Sequence, residues 1–115
     1  MRPGLRWPIG FILATHPGYP YSDPVFEPTK IEWNDANAEA HFTKHGVRFA
    51  FAARVFRDPA RADYDASRSE DGETRCKAVG MIEGKLYVVV YAPLGAVAWI
   101  ISARRANAQE TRRYG

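Results

Sequence analysis

Residues 97–114 read VAWIISARRANAQETRRY, and this stretch decides the fold. Its first five residues are apolar and rich in β-branched side chains, which is typical of a buried strand and unfavourable for a helix. The stretch turns polar at Ser102, and Arg104 and Arg105 follow. Asn107 and Glu110 then form the pattern of a capping box at the start of a short helix. The sequence therefore predicts a strand that ends in a hydroxyl and two guanidiniums, followed by a basic helix.

Positive charge is concentrated at this end of the chain. The whole sequence has 16 Lys and Arg against 13 Asp and Glu, a net charge of +3, but from Arg104 to Arg113 four arginines face a single acid, Glu110. A guanidinium offers a planar fork of donors that stays charged at any working pH and suits phosphate. The pattern predicts a phosphate-binding site on a rigid support. The alternative is a solvated basic helix that closes a small sheet.

Length and composition limit the class of protein. With 115 residues the chain can form one domain with a hydrophobic core. Its single cysteine, Cys76, rules out an internal disulfide and argues against zinc or redox chemistry, so a cytoplasmic protein without a cofactor is expected. Six of the eight prolines lie in residues 1–28, where they block helices and central strands. We expect an extended or disordered leader over residues 1–28, with no role at a membrane, and a folded domain over residues 29–115.

Two helices are expected early in this domain. After a short strand at residues 30–33, the segment DANAEAHFTKH is capped by Asn34 or Asp35 and ends at Gly46, which suits the left-handed conformation that closes a helix. Apolar residues from Phe49 onward recur at helical spacing until the pair Asp58-Pro59. The tight link through Gly46 predicts a two-helix hairpin that packs on an apolar surface.

Four strands are expected to follow. Residues 61–67 alternate weakly and suit a charged edge strand, and residues 74–82 form a second strand that leads into a hairpin turn. Residues 86–91, LYVVVY, are an unbroken apolar run and belong at the centre of a sheet. With residues 97–101 they make a four-stranded, mainly antiparallel meander. The fold class predicted is α+β, with a short strand and the helix hairpin on the meander and a C-terminal helix at the end.

The order of several short motifs resembles the BrnT family of toxin–antitoxin proteins. The motifs are W-N-D-x-N-A from Trp33, K-H-G-V-x-F from Lys44, D-P at Asp58, R-S-E-D-G-E-x-R from Arg68, LYVVVY from Leu86, I-I-S-A-R-R-A from Ile100 and E-x-R-R-Y from Glu110. The resemblance implies a RelE-like ribonuclease fold and metal-independent RNA cleavage that arrests translation. It also implies a partner antitoxin of ribbon-helix-helix type, which neutralises the toxin and alone contacts the promoter DNA.

Metal-free RNA cleavage needs a base for the 2′-OH, charge stabilisation at the phosphorane-like transition state, and an acid for the leaving oxygen. The resemblance implies that clustered Lys and Arg do most of this work. Arg75 and Arg104 are the candidates for a phosphate clamp. The alternatives are structural ion pairs, for Arg75 with Glu73 or Asp71, and for Arg104 with a helix carboxylate such as Asp35 or Glu39.

A possible acid lies at the end of the first helix. Lys44 and His45 are at its C-terminus, where the helix dipole favours a protonated imidazole. The alternative for His45 is a buried side chain that anchors the helix hairpin. His41 and His45 have the spacing of metal ligands on a helix, but no third ligand follows at a suitable spacing, so no metal site is expected.

The remaining candidates concern substrate binding. We expect four residues to contact or steer RNA: Arg68, Ser102, Arg105 and Arg112. Tyr87 and Tyr91 on the central strand are candidates for stacking on a base if their face is open, and core residues if it is not.

The chain departs from the family pattern at four positions. Asn37 and Trp99 stand where the family usually has Lys and Arg, and His41 and Thr111 where it usually has Asn and Arg. Losing a guanidinium and gaining an indole changes both charge and shape. A weak or inactive relative that binds an antitoxin and acts as a co-repressor is therefore the alternative function.

Overall fold

The computed structural model describes residues 26–67 and 72–114. The elements in chain order are β1 Lys30–Trp33, α1 Asp35–His45, α2 Phe49–Ala52, a 3-10 helix Ala53–Arg57, β2 Ala62–Asp65, β3 Cys76–Ile82, β4 Lys85–Leu94, β5 Val97–Arg105 and α3 Ala108–Tyr114. The predicted α+β class, the helix hairpin, the meander and the C-terminal helix are confirmed.

The sheet has five strands in the order β1-β5-β4-β3-β2. Strands β2 to β5 form the predicted antiparallel meander, with the apolar run of β4 in the middle. The pairing of β1 was not predicted: it lies parallel to β5, with Trp33 opposite Ile100. Parallel strands cannot be joined by a tight turn. Here the chain leaves β1, passes over the sheet in α1 and α2 to β2 at the opposite edge, and returns to β1 through β5.

The ends of α1 follow the sequence signals. The Asn34 side chain accepts a hydrogen bond from the Asn37 backbone N–H at 2.9 Å. Gly46 has φ 73° and donates its N–H to the Phe42 carbonyl at 2.8 Å. The second helical segment runs through the 3-10 helix, and the chain is extended again at Asp58. Asn34, one of the two predicted N-caps, and Gly46 are therefore the observed capping residues.

The two faces of the sheet differ in what covers them. Helices α1 and α2 and the 3-10 helix pack on one side, which we call the helix-covered face, and the main core lies there. Its most buried residues are Phe49, Ala52, Val55, Ala78, Val89, Tyr91, Ala98, Ile100 and Ala103. The other side, which we call the open face, has a small apolar cluster of Val79, Leu86 and Val88 beneath Ala106 and Tyr114 of the C-terminal segment.

A β-bulge in the middle of β5 changes which residues face which side. Val90 pairs with Ser102, but the next residue of β4, Tyr91, pairs with Ile100, so Ile101 has no partner in the register. The Asn37 side chain donates a hydrogen bond to the Ile101 carbonyl at 2.9 Å and joins α1 to the bulge. Because the bulge inserts one residue, Trp99 and Ser102 point to the same face.

The domain is also anchored by residues just before β1. Phe26 stacks on Tyr91 with ring centroids 5.7 Å apart, and its carbonyl accepts a hydrogen bond from the guanidinium of Arg61. Residues 1–25, most of the predicted leader, lie outside the described residues. No helix in the described ranges is long and apolar enough to cross a membrane.

Candidate functional site

A row of side chains crosses four strands on the open face. Tyr64 on β2 lies opposite Lys77 on β3. Lys77 in turn lies opposite Val90 on β4, and Val90 opposite Ser102 on β5. Residues opposite each other in a sheet point to the same side. Neighbouring strands are about 4.8 Å apart, so Lys77 and Ser102 are separated by about 10 Å across the small side chain of Val90.

Two arginines flank this row on the same face. Arg104 lies opposite Val88 and is two residues beyond Ser102 on β5. The Ala66 backbone N–H donates to the Arg75 carbonyl at 2.8 Å. This bond extends the pairing of β2 with β3 to the residue that precedes β3. The alternation along β3 therefore carries Arg75 to the side of Lys77. We call Arg75, Lys77, Ser102 and Arg104 the cationic patch.

Arg104 is held by the helix that follows it. Its Nη1 and Nη2 donate to Oε1 and Oε2 of Glu110, both at 2.8 Å. Glu110 also accepts from the Asn107 N–H at 2.9 Å, and Asn107 Oδ1 accepts from the Glu110 N–H at 2.8 Å, which is the predicted capping box. Arg104 therefore pairs with a helix carboxylate, as the structural alternative stated, but the carboxylate is on α3 and not on α1.

The pairing of Arg104 with Glu110 shifts the pKa of both side chains. The hydrogen bond from Arg104 lowers the pKa of Glu110 to about 2, against an opposing effect of burial. The same hydrogen bond raises the pKa of Arg104. Both groups thus stay charged over the whole physiological range, and Glu110 fixes the position of the guanidinium on the open face.

Arg75 has a looser carboxylate partner. Its Nη2 lies 2.9 Å from Oε2 of Glu73, and the two side chains are 26% and 50% exposed. The pairing with Glu73 is the structural alternative that the sequence suggested. Glu73 is more exposed than Glu110, so water screens the Arg75 pair more on its carboxylate side than it screens the Arg104 pair.

Helix α3 borders the patch on one side. Tyr114 lies against Tyr64, with ring centroids 5.5 Å apart. Burial and the neighbouring Tyr114 hydroxyl raise the pKa of Tyr64 to about 12. A phenol with so high a pKa stays protonated at neutral pH and neither gives up nor accepts a proton readily. Tyr64 is partly exposed and supports Lys77, whose Nζ lies 5.9 Å from the centroid of its ring.

The structure separates Lys44 and His45 from the cationic patch. Both are exposed at the end of α1, which packs on the helix-covered face. His45 stacks on His41 at 5.5 Å between ring centroids, so the alternative of a buried, anchoring His45 is wrong. The pKa of His41 is lowered by burial and by the charges of His45 and Lys44. Within the described ranges, no group of three or more His, Cys, Asp or Glu side chains could hold a metal ion.

The other residues predicted to contact RNA do not lie together in the structure. Arg105 follows Arg104 but points to the opposite side, where its guanidinium lies 5.5 Å from the ring centroid of Tyr87. Arg112 is exposed on α3. Arg68 lies outside the described residues. Tyr87 and Tyr91 are 8% and 1% exposed and belong to the core, so of the two alternatives given for them the core role is confirmed.

Sequence reasoning missed Lys77 and its neighbour Tyr64 as members of the site. A signal for Lys77 was present, because Arg75 and Lys77 alternate with Cys76 and Ala78 along one strand and must share a face. No signal of this kind joined Lys77 to Ser102, since their proximity depends on the register of three strands.

The cationic patch can perform a limited chemistry. It presents two guanidiniums, an ammonium and a hydroxyl on a rigid sheet, which suits a phosphate and the negative charge that develops when a phosphodiester is attacked. The described part of the open face carries no histidine.

Comparison with known proteins agrees with the resemblance seen in the motifs. The family model described as ribonuclease toxin, BrnT, of type II toxin–antitoxin system matches residues 33–110. The matched segment includes the whole cationic patch and the carboxylate of Glu110. No curated protein matches the chain.

Proposed function

Because the chain belongs to the BrnT family of ribonuclease toxins of type II toxin–antitoxin systems, we propose that it cleaves RNA at the cationic patch without a metal ion. Its α+β architecture is consistent with a RelE-like fold. Cleavage of cellular RNA arrests translation, which places its action in the cytoplasm.

The observation that supports this proposal is the convergence of Arg75, Lys77, Ser102 and Arg104 on one open face. Arg75 and Lys77 lie where β3 begins, and Ser102 and Arg104 lie on β5, with β4 between the two strands. All four side chains are partly exposed. Arg104 and Arg75 bind the scissile phosphate, and Lys77 stabilises the charge of the transition state. Solvent water accepts the proton of the attacking 2′-OH and returns one to the leaving 5′-oxygen. Ser102 donates a hydrogen bond to a phosphate oxygen.

Lys44 and His45 have no part in this arrangement. They lie at the end of α1, on the other side of the sheet from the cationic patch. A role for His45 as the acid would require RNA to reach both faces at once. We therefore assign transition-state stabilisation to the cations of the open face and leave His45 outside the reaction.

A type II toxin implies a cognate antitoxin, and we propose that it is of ribbon-helix-helix type. Such an antitoxin neutralises the toxin by binding it and contacts the operon's promoter DNA itself. The toxin then meets DNA only through its partner.

The test is induced expression without antitoxin, with growth and RNA integrity followed together. The wild type should stop growth and fragment RNA, and Arg104→Ala should lose both effects. Removing one well-placed donor to a developing negative charge costs about 100- to 1000-fold in rate in other enzymes. Purified protein should cleave RNA in the presence of EDTA, because the proposed reaction uses no metal.

Arg105→Ala is the matched control for Arg104→Ala. The two arginines are neighbours on β5, but the Arg105 guanidinium lies over Tyr87 on the other face. We expect Arg105→Ala to retain growth arrest. Equal loss of activity in both variants, or full activity in Arg104→Ala, would show that the open face is not the site.

One observation favours a second function, that of a weak or inactive relative acting as an antitoxin-binding co-repressor. The fork of Arg104 is occupied by Glu110 and Arg75 is paired with Glu73, so carboxylates compete with phosphate at both guanidiniums. This function predicts a folded wild type that binds its antitoxin tightly and neither arrests growth nor fragments RNA. Activity alone separates the two functions.

A further inference from the structure

Trp99 lies on the open face beside the cationic patch. It faces Ala92 of β4 on one side and Glu32 of β1 on the other. The β-bulge at Ile101 brings it to the same side as Ser102 and Arg104, which simple alternation along the strand would not do. The indole is thus an aromatic surface on the same face as the cations and the hydroxyl, at the end of the face away from Tyr64 and Tyr114.

The surroundings of Trp99 leave its ring available. It is partly exposed, and no aromatic ring or cation among the described residues contacts it. Its neighbour Glu32 is paired with Lys30 at 3.6 Å, so the adjacent edge carries no net charge. Trp33, the other described tryptophan, packs against Phe49 at 6.2 Å between ring centroids and belongs to the core.

The distance from Trp99 to the cations suits a nucleotide. Cys76 pairs with Tyr91. If the same register continues by one residue, Arg75 lies beside Ala92. Ala92 therefore lies between Trp99 and Arg75, and two strand spacings amount to about 10 Å. The intervening side chain is only the methyl group of Ala92, which is buried, so no larger side chain projects between the indole and the guanidinium.

We propose that Trp99 stacks on an unpaired base of the RNA whose phosphate is bound by the cationic patch. This inference rests on the proposed function and adds to it the way in which the substrate is held. A base offers its π-face to an aromatic ring only when it is unpaired, and stacking combined with a cationic track is the usual means of binding single strands. Trp99 would then select single-stranded RNA over duplex.

The experiment measures binding of a short fluorescein-labelled RNA that carries 2′-O-methyl riboses, so that it cannot be cleaved by attack of the 2′-OH. The single strand and the duplex of the same sequence are compared. Trp99→Ala should bind the single strand about 5- to 100-fold more weakly than the wild type, while Trp99→Phe retains most of the affinity. Neither substitution should alter binding to the duplex.

Leu94→Ala is the control for loss of apolar surface. Leu94 is on the same face and is 55% exposed, but an aliphatic side chain cannot stack on a base in the same way. We expect its affinity for the single strand to be that of the wild type. Quenching of tryptophan emission on binding gives a second readout, and it should be absent in Trp99→Phe. Circular dichroism verifies that each variant is folded.

The outcomes distinguish the inference from the proposed function. If the wild type cleaves unmodified RNA and Trp99→Ala binds the single strand as tightly as the wild type, or Leu94→Ala binds it equally weakly, stacking is wrong and the ribonuclease stands. If the wild type neither cleaves nor binds RNA, both proposals fail. If Trp99→Ala binds the single strand like the wild type but no longer binds the antitoxin, Trp99 belongs to a protein interface and the inference is overturned.

Discussion

Each face of the sheet carries a pair of arginine and carboxylate, and the two pairs serve different ends. On the helix-covered face, Arg61 and Asp63 are 2% and 9% exposed, with Nε 3.0 Å from Oδ2. On the open face, Arg104 and Glu110 are 34% and 16% exposed, with Nη1 2.8 Å from Oε1. The first pair is enclosed by protein on every side, whereas the second leaves part of its guanidinium in water.

The buried pair is saturated by partners from the fold. Arg61 donates to the carbonyls of Phe56 and Phe26, and the Tyr91 hydroxyl donates to Asp63 at 3.0 Å. Burial raises the pKa of Asp63, opposed by the charge of Arg61. An arginine is therefore a candidate for binding substrate only where its guanidinium is both positioned and accessible, as that of Arg104 is and that of Arg61 is not.

The largest difference between the faces should appear when each arginine is replaced by methionine. Arg61→Met leaves the Asp63 carboxylate buried without its cation, and breaking a buried pair in this way costs about 3–5 kcal/mol in the free energy of unfolding. Arg104→Met should cost about 1–2 kcal/mol, because Glu110 keeps the Asn107 N–H and water. Urea denaturation followed by circular dichroism measures both.

The loss in Arg61→Met should also shrink as the pH is lowered, since the Asp63 carboxyl can take up a proton. Equal losses of stability in the two variants would mean that the faces do not differ as described.

Two neighbouring valines on β4 point to opposite faces of the sheet. Val89 is 0% exposed on the helix-covered face, and its neighbour Val90 is partly exposed at the centre of the cationic patch. Val89→Ala should lower the free energy of unfolding by about 2–3 kcal/mol, from lost burial and the cavity left behind. Val90→Ala should cost about 1 kcal/mol or less. A larger loss for Val90 in thermal or urea unfolding would show that the open face is packed against another surface.

The smallest effect is a dependence of stability on pH that is specific to the open face. The folded-state pKa of Glu110 is about 2, below its ordinary value of 4.5. Its contribution to stability is therefore fully present above about pH 4.5 and is lost as the pH falls toward 2. We expect about 1–2 kcal/mol, since Arg104 is partly exposed.

Glu110→Gln is the control for this titration, because it keeps the shape of the side chain without the charge. The variant should be less stable than the wild type at neutral pH, and the difference should disappear toward pH 2. A difference that stays constant with pH would show that the ion pair with Arg104 does not control the titration.

Local signals in the sequence determined most of the secondary structure. Asn34 and Gly46 bound α1, the pair Asn107 and Glu110 starts α3, and the apolar run of residues 86–91 occupies the central strand. These features depend on neighbours within a few residues, so one sequence suffices to read them. Arg75 and Arg104 were also identified as candidates for phosphate binding, since their residue type and strand-end positions are local as well.

Only the tertiary structure decided which side chains share the site. The bulge at Ile101 reverses the alternation along β5, so that Trp99, Ser102 and Arg104 face one way and Arg105 the other. The register of β3 and β4 brings Lys77 into the patch. The position of α3 places Glu110 within hydrogen-bond distance of Arg104. Each of these outcomes depends on contacts between distant segments, and a one-residue shift in any strand would exchange the two faces.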